Sequence, residues 1–188
     1  MTTLNETTFG HEDWHIDVSG EVYIETGVGN GDSFAAAVEH SFKHLIGIEV
    51  NETLARSCAK KFASDERVKI VGGDSAFWLP LVIDPSRKTV FWLDAHCEQG
   101  VPQSLGESGQ CPLLDELRII CAADWKHKPV IMIDDYAAFM SNDWWKRYAS
   151  PEHDPDQWPD WWQIFDAMGG LEYKWTFLAS PQGILYCW

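Results

Sequence analysis

Carboxylates recur in this sequence wherever a short apolar run gives out, and the residues beside them differ from place to place. Glu25 is followed by Thr26-Gly27-Val28-Gly29-Asn30-Gly31-Asp32-Ser33. Glycines at alternate positions let a backbone turn tightly and lie against a ligand with no side chain between. An acid just before them suits a cationic ammonium and would repel a pyrophosphate. Glu49 closes the run HLIGIEV, where a carboxylate can accept both hydroxyls of a ribose. A third run ends in Gly72-Gly73-Asp74-Ser75, a fourth in Leu93-Asp94-Ala95-His96 and a fifth in Ile133-Asp134-Asp135-Tyr136. Three carboxylates meeting from the last two would repel one another unless a cation compensates. A hard divalent ion with oxygen ligands, Mg²⁺ most simply, would do so and keep positions open for substrate oxygens. The same aspartates also suit helix caps, and the glycines an ordinary tight turn.

Other chemistries fare worse. A dinucleotide fingerprint wants G-x-G-x-x-G with a small third residue; the spacing here is G-x-G-x-G and the third place is Asp32. His96, Cys97 and Cys111 match no common zinc spacing and lack a fourth ligand. No G-x-S-x-G marks a hydrolase elbow. Asp115 and Glu116 open a helical pattern, where acids favour the dipole and need no further role.

The elements that must position these groups follow from periodicity. Strand patterns run over Glu21–Glu25, His44–Val50, Val68–Val71, Thr89–Leu93 and Pro129–Ile133. Helical spacing appears over Asp32–Phe42, Glu52–Ala63, Pro112–Ala123 and Trp158–Met168. Strands that are nearly all apolar are buried on both faces, as in a parallel sheet with helices on each side. The runs Leu171–Leu178 and Gly183–Trp188, separated by Ala-Ser-Pro-Gln, read as a hairpin. The expectation is one α/β domain over 1–188, doubly wound and mostly parallel, with one antiparallel C-terminal strand. Residues 1–20 are expected to form a short N-terminal extension, so loops or a partner subunit cover the acceptor or the substrate stays largely exposed, and a homodimer stays open.

Composition narrows the partners. Acids outnumber Lys and Arg 29 to 14, for a formal charge of -15. A phosphate-backbone binder needs the opposite sign, so nucleic acid is not expected. Five cysteines without a CxxC pair, no basic-apolar leader and no apolar run of about 20 residues point to a reduced, cytoplasmic, non-membrane setting. Eleven tryptophans include seven after residue 140. Those in Trp144–Trp162 either anchor that segment or wall an acceptor pocket. Glu98–Cys111, rich in Gly, Ser and Gln, is placed to act as a lid.

With ETGVGNGDS, GIEVN, VGGDS and the terminal hairpin in order, nearly the whole chain resembles the class I S-adenosylmethionine-dependent methyltransferases, which are Rossmann-like. The resemblance implies that Glu25, Gly27, Gly29 and Gly31, with Ser33 in the same motif, hold the methionine part of S-adenosylmethionine. Glu49 then takes the ribose and Asp74 the adenine amino group, with Ser75 assisting. FWLDAH, CPLLDEL and IDDYAAF resemble the metal-dependent macrocin and sugar O-methyltransferases. That likeness implies Mg²⁺ on Asp94, Asp134 and Asp135, polarising a hydroxyl of a small-molecule acceptor. His96 is then placed to take the proton, a departure from sugar enzymes in which an acid serves.

Overall fold

Alternation of side chains along each strand sorts the core into two layers, one on each face of the sheet. On one face lie Ile24, Phe91, Leu93, Ile131, Ile133, Leu185 and Cys187. On the other lie Tyr23, Val90, Trp92, Met132, Ile184 and Tyr186. In this computed structural model the described residues are 20–97, 108–140, 154–169, 173–178 and 183–188. The expected extension, most of the lid, Trp144, Trp145 and the hairpin's Ala-Ser-Pro-Gln turn lie outside them.

Strands β1 (Val22–Thr26), β2 (His44–Glu49), β3 (Val68–Gly72), β4 (Thr89–Leu93), β5 (Val130–Asp134), β6 (Trp175–Leu178) and β7 (Ile184–Cys187) form one sheet in the order β3-β2-β1-β4-β5-β7-β6. Neighbours among β1 to β5 pair in parallel, and β7 pairs antiparallel to both β5 and β6. The single reversed strand is the one expected. Helices α1 (Asp32–Val38), α2 (Glu52–Lys61), α3 (Ser75–Val82), α4 (Leu113–Ala122), α5 (Tyr136–Met140) and α6 (Trp161–Met168) connect the strands, with a 3-10 turn at Pro155–Gln157. No helix among the described residues is long and apolar enough to cross a membrane.

Several boundaries move for local reasons. Helix α1 stops at Val38 rather than Phe42. The Arg67 guanidinium, held by Asp65, takes the carbonyls of Val38, His40 and Phe42 at 2.8, 2.9 and 3.1 Å. Helix α6 begins at Trp161 because Asp160 and Gln163 form a reciprocal capping box, at 2.8 and 2.9 Å. Helix α3 has no counterpart in the periodicity. SAFWLPLV is apolar on every face, and Pro80 within it reads as a break. Phe77 and Leu81 are left about two-thirds exposed, at 65% and 64%.

Candidate functional site

The ends of β1 to β5 bring the sequence-marked acids to one edge of the sheet. Gly27, Gly29 and Gly31 all have positive φ, at 74°, 54° and 77°. Their surroundings differ. A Cβ on Gly27 would collide with the Asp94 carbonyl, so the turn rests on the exit of β4. A Cβ on Gly31 would lie 3.0 Å from the Phe62 ring and 3.1 Å from Cys58 Sγ. A Cβ on Gly29 would meet nothing within 4 Å, so this glycine faces open space.

Glu25 is fully buried. Its carboxylate accepts from the Tyr23 hydroxyl at 2.7 Å and the Ser33 hydroxyl at 2.5 Å. Burial pushes its pKa up to about 8 against those two bonds, with Asp134 and Glu49 adding repulsion. Glu25 and Ser33 therefore bind each other and fasten the turn, and neither carboxylate oxygen faces outward. Glu49 accepts the Gly29 N–H on one oxygen and the Asn51 N–H on the other, both at 2.8 Å. Asp74 caps α3 through the Ala76 N–H at 2.9 Å and accepts the N–H and hydroxyl of Ser108 at 3.0 and 3.1 Å. Asp74 is thus the N-cap of α3 and a partner of Ser108 at once. Ser75 is buried beside it.

At β4 and β5 the charges crowd. His96 Nε2 lies 2.9 Å from Asp135 Oδ2, and Nδ1 lies 3.4 Å from Asp94 Oδ1. Burial alone would lower the His96 pKa, but the Asp135 bond and the charges of Asp94, Asp135 and Asp134 raise it to about 9. Burial also drives Asp94 well up, with Asp134 and Asp135 adding repulsion and His96 opposing. Asp134 rises to about 6 through burial and the charge of Asp135, while its bond from the Asp135 N–H, 2.8 Å, resists. Asp135 is the one non-glycine described residue with positive φ, 52°. Its Oδ1 is buried without a partner.

The three aspartates do not fit the expected metal as they stand. Among the described residues no three His, Cys, Asp or Glu side chains come together as a metal-binding group. The cation set between Asp94 and Asp135 is the chain's own imidazole. The same carboxylates bear on the part expected of His96, because they favour its protonated form.

Further residues complete the site, of which Gln110 carried no signal of its own. The Trp158 indole packs tilted against His96, centroids 5.1 Å apart, and Phe139 backs it at 5.8 Å. One Trp of the Trp-rich segment thus walls the site, whereas Trp162 is exposed. Gln110 ties the exit of β4 to this wall: its carbonyl accepts the Cys97 N–H at 2.9 Å and its side-chain oxygen the Asp154 N–H at 2.8 Å. Glu116, expected in the first turn only to favour the helix dipole, is there but lies among other groups as well. It is 1% exposed, and burial raises its pKa to about 7 against the Ser75 and Thr26 hydroxyls. Yet Glu116 Oε1, Thr26 Oγ1 and Ser75 Oγ have no partner in hydrogen-bond geometry.

No protein-family model matches the chain, and no curated protein matches it. Solved structures do. The SAH-bound methyltransferase PaMTH1 of Podospora anserina superposes with TM-score 0.56 at 15% identity, covering 89% of this chain and 71% of that one. Cofactor-bound Rv0187 from MTB gives 0.57 at 14%, covering 89% and 72%. The O-methyltransferase TomG of Streptomyces achromogenes, involved in tomaymycin synthesis and in complex with SAM, gives 0.55 at 14%, covering 89% and 72%. The fold is that of a class I methyltransferase. At the ends of β1 and β2 an open face at Gly29 thus lies beside a carboxylate, Glu49, held by two backbone N–H groups.

Proposed function

We propose that this chain is an S-adenosylmethionine-dependent methyltransferase that methylates oxygen on a small hydroxylated acceptor. One observation carries the reading: on a methyltransferase fold, Glu49 is fixed by Gly29 and Asn51 directly beside the open glycine face. Glu49 would hold the ribose, Asp74 with Ser75 the adenine side, and the Gly27–Gly31 turn the methionine part. Glu25 and Ser33 would act through that turn, since they spend their bonds on each other. Bound there, S-adenosylmethionine supplies an electrophilic methyl group on a sulfonium.

The acceptor side falls to His96, Asp94 and Asp135, beneath Trp158. The two carboxylates orient the ring, and a ring nitrogen can take the hydroxyl proton once it has lost its own. With the imidazole pKa near 9, turnover should climb as pH rises towards that value. Magnesium assistance through Asp94, Asp134 and Asp135, expected from the sequence, has less support than this route, because His96 stands between two of the three ligands. A metal-independent methyltransferase is accordingly the favoured form. The charge of -15 supports a small-molecule acceptor over nucleic acid, in a cytoplasmic setting.

Calorimetric titration with S-adenosylmethionine or S-adenosylhomocysteine, with Mg²⁺ and with EDTA, tests this. One-to-one binding is expected in both buffers, and turnover on an acceptor panel should survive EDTA. No binding of either ligand would sink the proposal. Binding without turnover on any acceptor would leave a cofactor-binding module. Turnover abolished by EDTA and restored by Mg²⁺ would reinstate the three aspartates as a metal site.

A further inference from the structure

A turn with three positive φ angles has little intrinsic reason to keep one shape, because glycine visits so many. The Gly27–Gly31 turn is held from two sides. On the amide side, Gly27 N–H donates to the Ile48 carbonyl at 2.8 Å and Gly29 N–H to Glu49. On the carbonyl side, Gly31 O accepts the Ala35 N–H at 3.1 Å and Val28 O the Gly31 N–H at 2.8 Å, and the side-chain donors all come from α2. Cys58 Sγ–H donates to Gly29 O at 3.2 Å. Lys61 Nζ donates to Asn30 O and Gly31 O, both at 3.0 Å, and lies 3.4 Å from Asp32 Oδ1. An ammonium has three N–H donors; two of them go to this turn and the third faces Asp32, the first residue of α1.

Cys58 and Lys61 are one helical turn apart, so they grip three successive carbonyls from a single face of α2. A lysine in a helix's last turn ordinarily serves its own helix's dipole. This one reaches across to another element. Its ammonium also lies 5.4 Å from the Phe62 ring centroid, the ring that leaves no room for a Cβ on Gly31. The packing below and the ammonium beside it set the same backbone shape.

We infer that Lys61 is a positioning residue that presets the glycine turn for S-adenosylmethionine, an inference that rests on the methyltransferase reading above. A turn ordered beforehand spares the complex the cost of ordering it on binding. Lys61 reaches no reacting atom, so its removal should be felt in cofactor affinity and not in the chemical step.

S-adenosylhomocysteine is titrated calorimetrically into wild type, Lys61→Met, Lys61→Arg and Lys43→Met. Lys43 serves as the control because it makes an exposed ion pair with Glu21, away from the turn. Lys61→Met should weaken binding about tenfold, the equivalent of one lost charge-assisted contact. Its thermal midpoint should stay within about 3 °C of wild type, since Lys61 is 43% exposed. Lys61→Arg, which restores donors, should recover much of the affinity, and Lys43→Met should match wild type. With an acceptor in hand, KM for the cofactor should rise in Lys61→Met while kcat holds. Unchanged affinity in Lys61→Met, an equal loss in Lys43→Met, or a fall in kcat at constant KM would each overturn the inference. So would loss of the thermal transition, which would make Lys61 a structural residue. A wild type that binds no S-adenosylhomocysteine overturns both this inference and the methyltransferase reading; binding by wild type with no effect of Lys61→Met overturns this one alone.

Discussion

Acids at the ends of β1 to β3 and acids at the ends of β4 and β5 are kept in place by different means. In the first group neutral donors do the work: hydroxyls of Tyr23 and Ser33 on Glu25, backbone N–H groups on Glu49, Ala76 and Ser108 on Asp74. In the second, Asp94 and Asp135 lean on one imidazole, and Asp134 on the N–H of its neighbour. A carboxylate held by neutral donors keeps those partners' charge state unchanged as pH varies. A carboxylate balanced by a titratable cation changes when that cation changes. The first arrangement suits a cofactor that must always fit, the second a step in which a proton moves.

The two halves touch at Gly27, and that contact is the place to break them apart. Gly27→Ala would drive a methyl group into the Asp94 carbonyl at a backbone φ of 74°. Backbone cannot yield as a side chain end does, so about 4 kcal/mol of destabilisation is expected, read by urea denaturation. A variant within about 1 kcal/mol of wild type would show that the halves are not in firm contact.

Removing the cation tests the second half alone. His96→Ala leaves Asp94 and Asp135 facing each other without compensation, at a cost of about 3 kcal/mol near pH 6. The folded His96 pKa, about 9, lies above the ordinary 6.5, so the stabilisation is complete below about 6.5 and is lost as pH rises through about 9. Urea unfolding at about pH 6 and about pH 9 should therefore show the His96→Ala penalty shrinking. A penalty independent of pH would mean that packing on Trp158, not charge, holds the ring.

Much of this edge was legible in the sequence, and the failures have local causes. Runs such as TVFWL and HLIGIE are apolar because both faces of the sheet are covered, so β2 and β4 and the acid ending β2 could be read directly. Gly-x-Gly-x-Gly marks a backbone conformation, and backbone needs leave a trace in residue type. Helix α3 was invisible because a helix without a polar face has no period to detect. Glu116 reads only as an acid favouring the helix dipole, since the Thr26 and Ser75 hydroxyls around it come from other elements. His96 is marked by the sequence as a site residue, but not its place between Asp94 and Asp135: residue spacing brings acids to an edge and does not say which cation answers them.

Glu116 sharpens the comparison from between the two groups. Its folded pKa of about 7 exceeds that of a free glutamate. Folding therefore favours its protonated form, and stability falls as pH rises from about 4.5 through about 7. Glutamine copies the neutral acid and does not titrate. Glu116→Gln should match wild type near pH 5 and exceed it by roughly 2 kcal/mol near pH 9, where the buried carboxylate has ionised. Equal stability at both values would place solvent or a donor at this carboxyl.

Gly29→Ala has the smallest expected effect on stability and the cleanest one on function. The methyl group meets nothing within 4 Å, so only the left-handed φ of 54° is strained, at about 1 kcal/mol. If the open face at Gly29 is where the cofactor backbone lies, the same methyl group stands in its way. S-adenosylhomocysteine affinity should then drop by about tenfold or more, in a chain that still unfolds near the wild-type midpoint. Gly27→Ala damages the fold by filling space the protein uses, whereas Gly29→Ala damages binding by filling space the protein has left free. Unchanged affinity in Gly29→Ala would move the cofactor off the glycine turn, and the division of the edge into a cofactor half and an acceptor half would have to be redrawn.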